Sequence, residues 1–282
     1  MKTRILTALI ALPVLIAVIV LPYYFPQTPE LKYIFVVLAV LALGAGLFEF
    51  YSLTKKLELK ADAAIGYVGA VVMLAAFIFD APSKLPDLLL LTIALFTIAT
   101  LITQTFRFQT DFSKMLTGVG VTLLGVFYVI FLGGFIIALR VGFEYQNGLS
   151  TKLLGFFFLV IMGADTGAYF AGRFLGKHKL APKISPGKTV EGLIGGIVAS
   201  LLLATLAHFW FFPEFDLKVA LPLAGIMVVI SVLGDLAESA MKRGSDTKDA
   251  ANILPGHGGL LDRLDSLLFN AAILYYFAKF YF

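Results

Sequence analysis

Six acidic residues stand near the expected ends of apolar helices. Asp165 lies in MGADTGAYFAGR, Glu191 opens a hydrophobic stretch, Asp235 and Glu238 lie in GDLAES, and Asp262 and Asp265 lie in LDRLD. Ionisable residues in such stretches are costly and mark function. Asp235, Glu238, Ser239 and Lys242 are spaced three or four apart, which puts them on one helix face, and Asp262 and Asp265 share another. Carboxylates in a chain with no cysteine and three histidines suit a hard cation such as Mg²⁺ rather than Zn²⁺. Mg²⁺ takes one or two protein carboxylates and leaves its other positions to water and substrate phosphates.

A basic, glycine-rich set accompanies the acids. Ser185-Pro186-Gly187-Lys188-Thr189-Val190-Glu191-Gly192 precedes a helix and reads as a Pro-Gly turn followed by a cation and a hydroxyl. Such a helix start can cradle phosphate. It is not a P-loop, because the G-x-x-x-x-G-K-[ST] spacing is missing and no preceding strand is apparent. A second stretch carries Lys242, Arg243, Lys248, Gly256, His257, Gly258, Gly259 and Arg263. Its glycines let backbone approach a ligand closely. Acids and bases together describe a Mg²⁺–polyphosphate site at a membrane face.

The elements that must position these groups are membrane helices. The 282 residues are 60% hydrophobic and 14% charged, against about 45–50% and 25% in soluble domains. That composition excludes a soluble enzyme and a disordered chain, and the lack of cysteine excludes thiol catalysis and disulfides. Nine near-uniformly apolar stretches are long enough to span a bilayer: about 5–24, 31–53, 63–80, 85–106, 114–139, 152–174, 190–212, 217–241 and 262–281. The alternating ten-residue segments of a barrel are absent. The first stretch is longer than a signal h-region and no small-x-small cleavage site follows it, so it is expected to remain as a helix. The fold class is therefore all-α and polytopic, with about nine spans.

Loops on one side hold sixteen of the 22 Lys and Arg residues, and those on the other hold six. The positive-inside rule makes the rich side cytoplasmic, with the N-terminus inside and the C-terminus outside. Residues 1–150 form a chemically bland N-terminal region of five spans. Residues 151–282 form the catalytic region, with two cytoplasmic loops at 175–189 and 242–261. No aromatic-interleaved basic stripe is present, so no nucleic-acid partner is expected.

Several groups also have plain structural readings. Lys242 and Arg243 follow a span and, as a pair alone, read first as topology markers. Asp165 can pair with Arg173, and Glu191 can sit at the positive end of its helix. Glu49, near the end of the second span, reads as interfacial, as does His208 beside Trp210, and His178 reads as loop surface. A cation-coupled carrier is the alternative from another class, since buried acids between helices can bind Na⁺ or H⁺. Against it, the acids gather toward one face, and no paired broken helices appear. The Asp-Gly…Ala-Arg…Gly…Asp…Asp pattern of CDP-alcohol phosphotransferases is not found.

The stretch 239–265, SAMKRGSDTKDAANILPGHGGLLDRLD, resembles the signature of the phosphatidate cytidylyltransferases, or CDP-diacylglycerol synthases. Ser239, Lys242, Arg243, Lys248, Asp249, Ala251, Leu254, Pro255, His257, Gly258, Gly259, Asp262, Arg263 and Asp265 fall in register with it. ADTGAYFAGRFLGKHKL and ISPGKTVEG resemble the same family upstream. The resemblance implies a homodimeric, multi-pass enzyme of the bacterial inner membrane with its site facing the cytosol. It would take CTP and phosphatidate of the inner leaflet to CDP-diacylglycerol and pyrophosphate with Mg²⁺, and it leaves room for a second cation, K⁺ being the candidate. It makes Asp235 and Asp262 the metal pair. Lys242, Arg243, Lys248, Asp249, His257, Arg263 and Asp265 would complete the catalytic set. Ser185, Lys188, Thr189, Glu191, Asp165, Ser239, Gly258 and Gly259 would bind substrate.

Overall fold

The computed structural model describes residues 2–83, 85–108, 112–143, 148–245 and 259–282. Its helices are α1 (Lys2–Tyr24), α2 (Lys32–Lys56), α3 (Ala63–Asp80), α4 (Asp87–Arg107), α5 (Ser113–Gly125), α6 (Leu132–Val141), α7 (Leu149–Leu175), α8 (Val190–Trp210), α9 (Leu217–Gly244) and α10 (Leu261–Tyr281). A π-helical segment, Val126–Phe131, joins α5 to α6 without a break. The described residues thus form nine helical rods where the sequence predicts nine spans.

Seven of the rods are long and apolar enough to cross a membrane. The described apolar part of α1, Ala11–Tyr24, is shorter. α10 falls short for a chemical reason: Asp262, Arg263, Asp265 and Asn270 dilute its apolar sequence. A helix that supplies a polar site gives up hydropathy.

Each rod separates an outward apolar face from an inward one. Leu41, Val71, Phe79, Leu90, Leu202 and Phe209 are exposed, whereas Leu43, Leu47, Val129, Phe157, Leu268 and Leu274 are buried. An apolar surface facing out is what lipid accepts and water does not. Small residues let α7 and α8 approach, with Gly167 set against Gly195 and Ala199. At one end of the bundle, the buried Arg140 of α6 donates to Ile19 O at 3.3 Å and to Thr151 Oγ1 at 3.1 Å, tying α1, α6 and α7 together.

Two expectations need correction. The stretch 175–189 is not a plain loop but an antiparallel hairpin, β1 (Lys179–Ala181) and β2 (Ser185–Thr189). Its turn lies at 182–184, closed by Ile184 N donating to Ala181 O at 3.2 Å, not at Pro186–Gly187. In a two-stranded ribbon Pro186 can occupy an edge without breaking a ladder. The helix expected to end at about 241 also runs further. α9 runs on to Gly244, so Lys242 and Arg243 belong to its last turn, where cations suit the negative end of the helix dipole.

Candidate active site

The site begins on the second half of α9. Helical spacing stacks Asp235, Glu238, Ser239 and Lys242, as the sequence predicts. Ser239 Oγ donates to Asp235 Oδ1 at 3.3 Å, and Lys242 Nζ to Glu238 Oε2 at 3.0 Å. α10 meets this face closely. A Cβ on Gly234 would stand 2.7 Å from Asp265 O, so only glycine admits this approach.

The approach brings carboxylates of two helices together. Oxygens of Asp235, Glu238 and Asp265 all lie within 4.8 Å of one another. Asp262, the other member of the expected metal pair, joins the group through Lys242, whose Nζ lies 2.5 Å from Asp262 Oδ1. Asp262 Oδ2 accepts the Gly259 amide at 3.0 Å. Glu238 is 1% exposed, and its Oε1 has no hydrogen-bond partner among the described residues.

The hairpin brings a second cation. Lys188 of β2 forms an ion pair with Asp235 Oδ2. β2 packs against α7, α8 and α9, and Arg243 fastens its turn by donating from Nε to Ile184 O at 3.3 Å. Thr189 caps α8 by accepting the Gly192 amide at 3.0 Å. Glu191 closes the neck of the hairpin: it accepts the amides of Lys177 at 3.1 Å and His178 at 3.2 Å, and its Oε1 lies 2.6 Å from His178 Nδ1. Ser185 opens β2 opposite Ala181. The Glu191→Ala variant is expected to loosen this neck and misplace Lys188. Hydrogen exchange should quicken at the amides of Lys177 and His178, while the thermal stability of the helices holds.

Asp165 of α7 is in electrostatic reach of Lys188, Asp235 and Arg263. Its expected partner Arg173 instead donates to Tyr169 Oη at 2.7 Å. Lys248, Asp249, His257 and Gly258 lie outside the described residues.

Four carboxylates, Asp235, Glu238, Asp262 and Asp265, therefore gather with two ammonium groups, Lys188 on Asp235 and Lys242 between Glu238 and Asp262. Fully ionised, the group carries an excess of two negative charges. Uncompensated charge away from water is costly. A divalent cation would cancel it, and the donors are the hard oxygens that Mg²⁺ prefers. Glu238 Oε1, with no hydrogen-bond partner among the described residues, offers a ligand atom.

Two residues escaped the sequence reading. Tyr128, on the π-helical segment, is 6% exposed; its Oη has no hydrogen-bond partner among the described residues and is in electrostatic reach of Glu238, Asp265, Asp235 and Asp262. Glu49, read from sequence as a lone interfacial acid, is fully buried among the helices and bonded to the start of α10. Only the position of Glu49 inside an apolar stretch hinted at a role.

Comparison with known proteins bears on the whole chain. The model of the cytidylyltransferase family matches residues 2–281. The phosphatidate cytidylyltransferase of Bacillus subtilis (strain 168) is 36% identical over 289 residues, covering 98% of this chain and 97% of that protein. That of Haemophilus influenzae is 48% identical over 134 residues, 46% of each chain. That of Synechocystis is 38% identical over 183 residues, 56% of this chain and 61% of its own. None of these supports the carrier alternative. With a family model spanning it almost end to end and a full-length relative beside it, the chain belongs to the cytidylyltransferase family.

Proposed function

We propose that the chain transfers CMP from CTP to phosphatidate, giving CDP-diacylglycerol and pyrophosphate, where α9, α10 and the hairpin meet. The observation that carries this reading is the cluster of Asp235, Glu238, Asp262 and Asp265 against Lys188 and Lys242. It offers both a hard-cation seat and positive charge for phosphates, which a polyphosphate substrate requires.

Asp235 and Asp262 would hold Mg²⁺, with Glu238 and Asp265 beside Asp235. When bound, Mg²⁺ neutralises charge on the triphosphate. A second cation, such as K⁺, has the remaining carboxylates to bind. The protein's own groups position the reactants. A phosphate oxygen of phosphatidate attacks the α-phosphorus of CTP in line. A new P–O bond forms, the bond to the β-phosphate's bridging oxygen breaks, and pyrophosphate leaves with the electron pair. The attacking phosphomonoester is already ionised, its second pKa being about 6, so no general base is needed. Lys188 and Lys242, on flexible stems, can exchange carboxylate for phosphate as charge moves to the leaving group.

The reading carries a topology with it. The site and the N-terminus face the cytosol, the C-terminus lies outside, and the enzyme is a homodimer in the bacterial inner membrane. The lysine and arginine distribution supports the orientation, and the resemblance supports the dimer. CTP then arrives from water, while phosphatidate enters sideways with its acyl chains left in lipid.

The test is pyrophosphate release from CTP by purified protein in mixed micelles. Release that requires both phosphatidate and Mg²⁺, with CDP-diacylglycerol formed in equal amount, is expected. No release on adding phosphatidate, or flux of a solute into liposomes in its place, would overturn the proposal.

A further inference from the structure

Glu49 sits on α2, yet its carboxylate is spent on α10. Oε1 accepts the Leu260 amide at 2.8 Å and Oε2 the Leu261 amide at 2.7 Å. α10 begins at Leu261, and its N-cap residue, Leu260, brings no side-chain cap of its own. The first amides of a helix lack intrahelical acceptors and ordinarily find one on a neighbouring Ser, Thr, Asp or Asn. Here an acid 211 residues earlier in the chain takes that role. The bonds are charge-assisted, and the carboxylate sits at the positive end of the helix dipole. Both effects let a carboxylate with 0% exposure remain buried.

The joint is shaped for this contact. Gly46 lies one turn earlier on the same face of α2. A Cβ there would stand 3.2 Å from Leu264 Cδ1 and 3.3 Å from Val129 Cγ1. A hydrogen at that position lets α2 press against the first turn of α10. Leu47, Phe50 and Leu261 are buried around the joint.

What the joint fixes is the base of the acid cluster. Asp262 follows Leu261 directly, and its own Oδ2 takes the Gly259 amide at 3.0 Å. Three successive amides, Gly259 to Leu261, therefore end on two carboxylates. This helix start is filled, so it is a mount rather than an anion seat. We propose that Glu49 is a positioning residue for the transfer site: it clamps the first turn of α10 so that Asp262 meets Lys242 and the acids of α9 in register. The inference rests on the transfer reading above for its consequence in catalysis, while the clamp itself is a property of the fold.

The test compares the parent protein with Glu49→Gln, which keeps the shape and one acceptor oxygen, and with Glu49→Ala. In Glu49→Gln, kcat should fall by about 10–100-fold, the range seen when a residue orienting a metal ligand is lost. KM for CTP should stay within about twofold, and the Mg²⁺ concentration giving half the maximal rate should rise. Hydrogen exchange should quicken at the amides of residues 259–264 and stay unchanged in the rest of α9 and α10. Glu49→Ala should exceed Glu49→Gln in both readouts, and if it fails to fold, Glu49→Gln decides alone. Parent-like kcat and Mg²⁺ requirement would overturn the proposal. So would a loss of activity that only tracks the amount of folded protein, with the Mg²⁺ requirement unmoved. Unchanged exchange at 259–264 would overturn the clamp. If the parent protein fails to release pyrophosphate, the transfer reading fails, and the exchange measurement still decides whether Glu49 holds α10.

Discussion

Replacing Asp235 with Asn should stop CDP-diacylglycerol formation while the protein still inserts and folds. Asn is isosteric and keeps an oxygen for the Ser239 hydroxyl, which donates to Asp235 Oδ1 at 3.3 Å. What disappears is charge. Lys188 loses the carboxylate it is paired with, and the trio Asp235, Glu238 and Asp265, whose oxygens lie within 4.8 Å, loses one of its three carboxyl groups. A single lost electrostatic contact to a transition state costs about 10²–10³ in rate. The loss here combines a metal ligand with a displaced lysine, so the fall should reach at least that range. Radiolabelled CTP with phosphatidate and Mg²⁺ measures it. Asp262→Asn should fall as steeply, because its Oδ1 holds Lys242 in place at 2.5 Å. Near-normal turnover in either variant would remove that residue from the metal assignment.

Lys242→Met should have the second-largest effect, and it should appear first in stability. Lys242 Nζ is shared between Glu238 at 3.0 Å and Asp262 at 2.5 Å, with only 13% of its side chain exposed. Met matches the stem in volume but leaves both acids without their shared cation. Removing one partner of a buried ion pair costs about 3–5 kcal/mol. A divalent cation replaces the missing charge, so Mg²⁺ should raise the melting temperature of Lys242→Met by more than it raises that of the parent. Turnover should fall by about 10²-fold even at saturating Mg²⁺. Thermal unfolding in detergent, with and without Mg²⁺, measures the stability arm. Equal Mg²⁺ shifts in the two proteins would show that Lys242 is not balancing the cluster.

The sequence discloses whatever is local. The rods are legible because the stretches are mostly apolar over a bilayer's length, even where α10 carries polar residues in its first turns, and the stacking of Asp235, Glu238 and Lys242 is legible because a helix fixes which residues share a face. The rotation of α10 against α9 is not local. Sequence and resemblance single out Asp235 and Asp262, whereas the trio in closest contact is Asp235, Glu238 and Asp265, because Gly234 admits the backbone of Asp265 at that level. The hairpin was hidden for a similar reason. Pro186–Gly187 looks like a turn in isolation, and only pairing with β1 makes it a strand. Tyr128 owes its direction to a π-helical segment, which shifts the register of side chains along a span without any mark in composition. Glu49 was the hardest case: its partners are backbone amides, which carry no residue-type signal, and they lie 211 and 212 residues away.

Titration of the purified protein with Mn²⁺ in place of Mg²⁺, followed by the loss of free-ion paramagnetic resonance, tests most directly whether the acids of α9 and α10 form a cation seat. The parent protein should take up Mn²⁺ in competition with Mg²⁺, and Asp235→Asn and Asp265→Asn should each bind it at least about tenfold more weakly. Uptake of equal affinity in the parent and both variants would contradict the account.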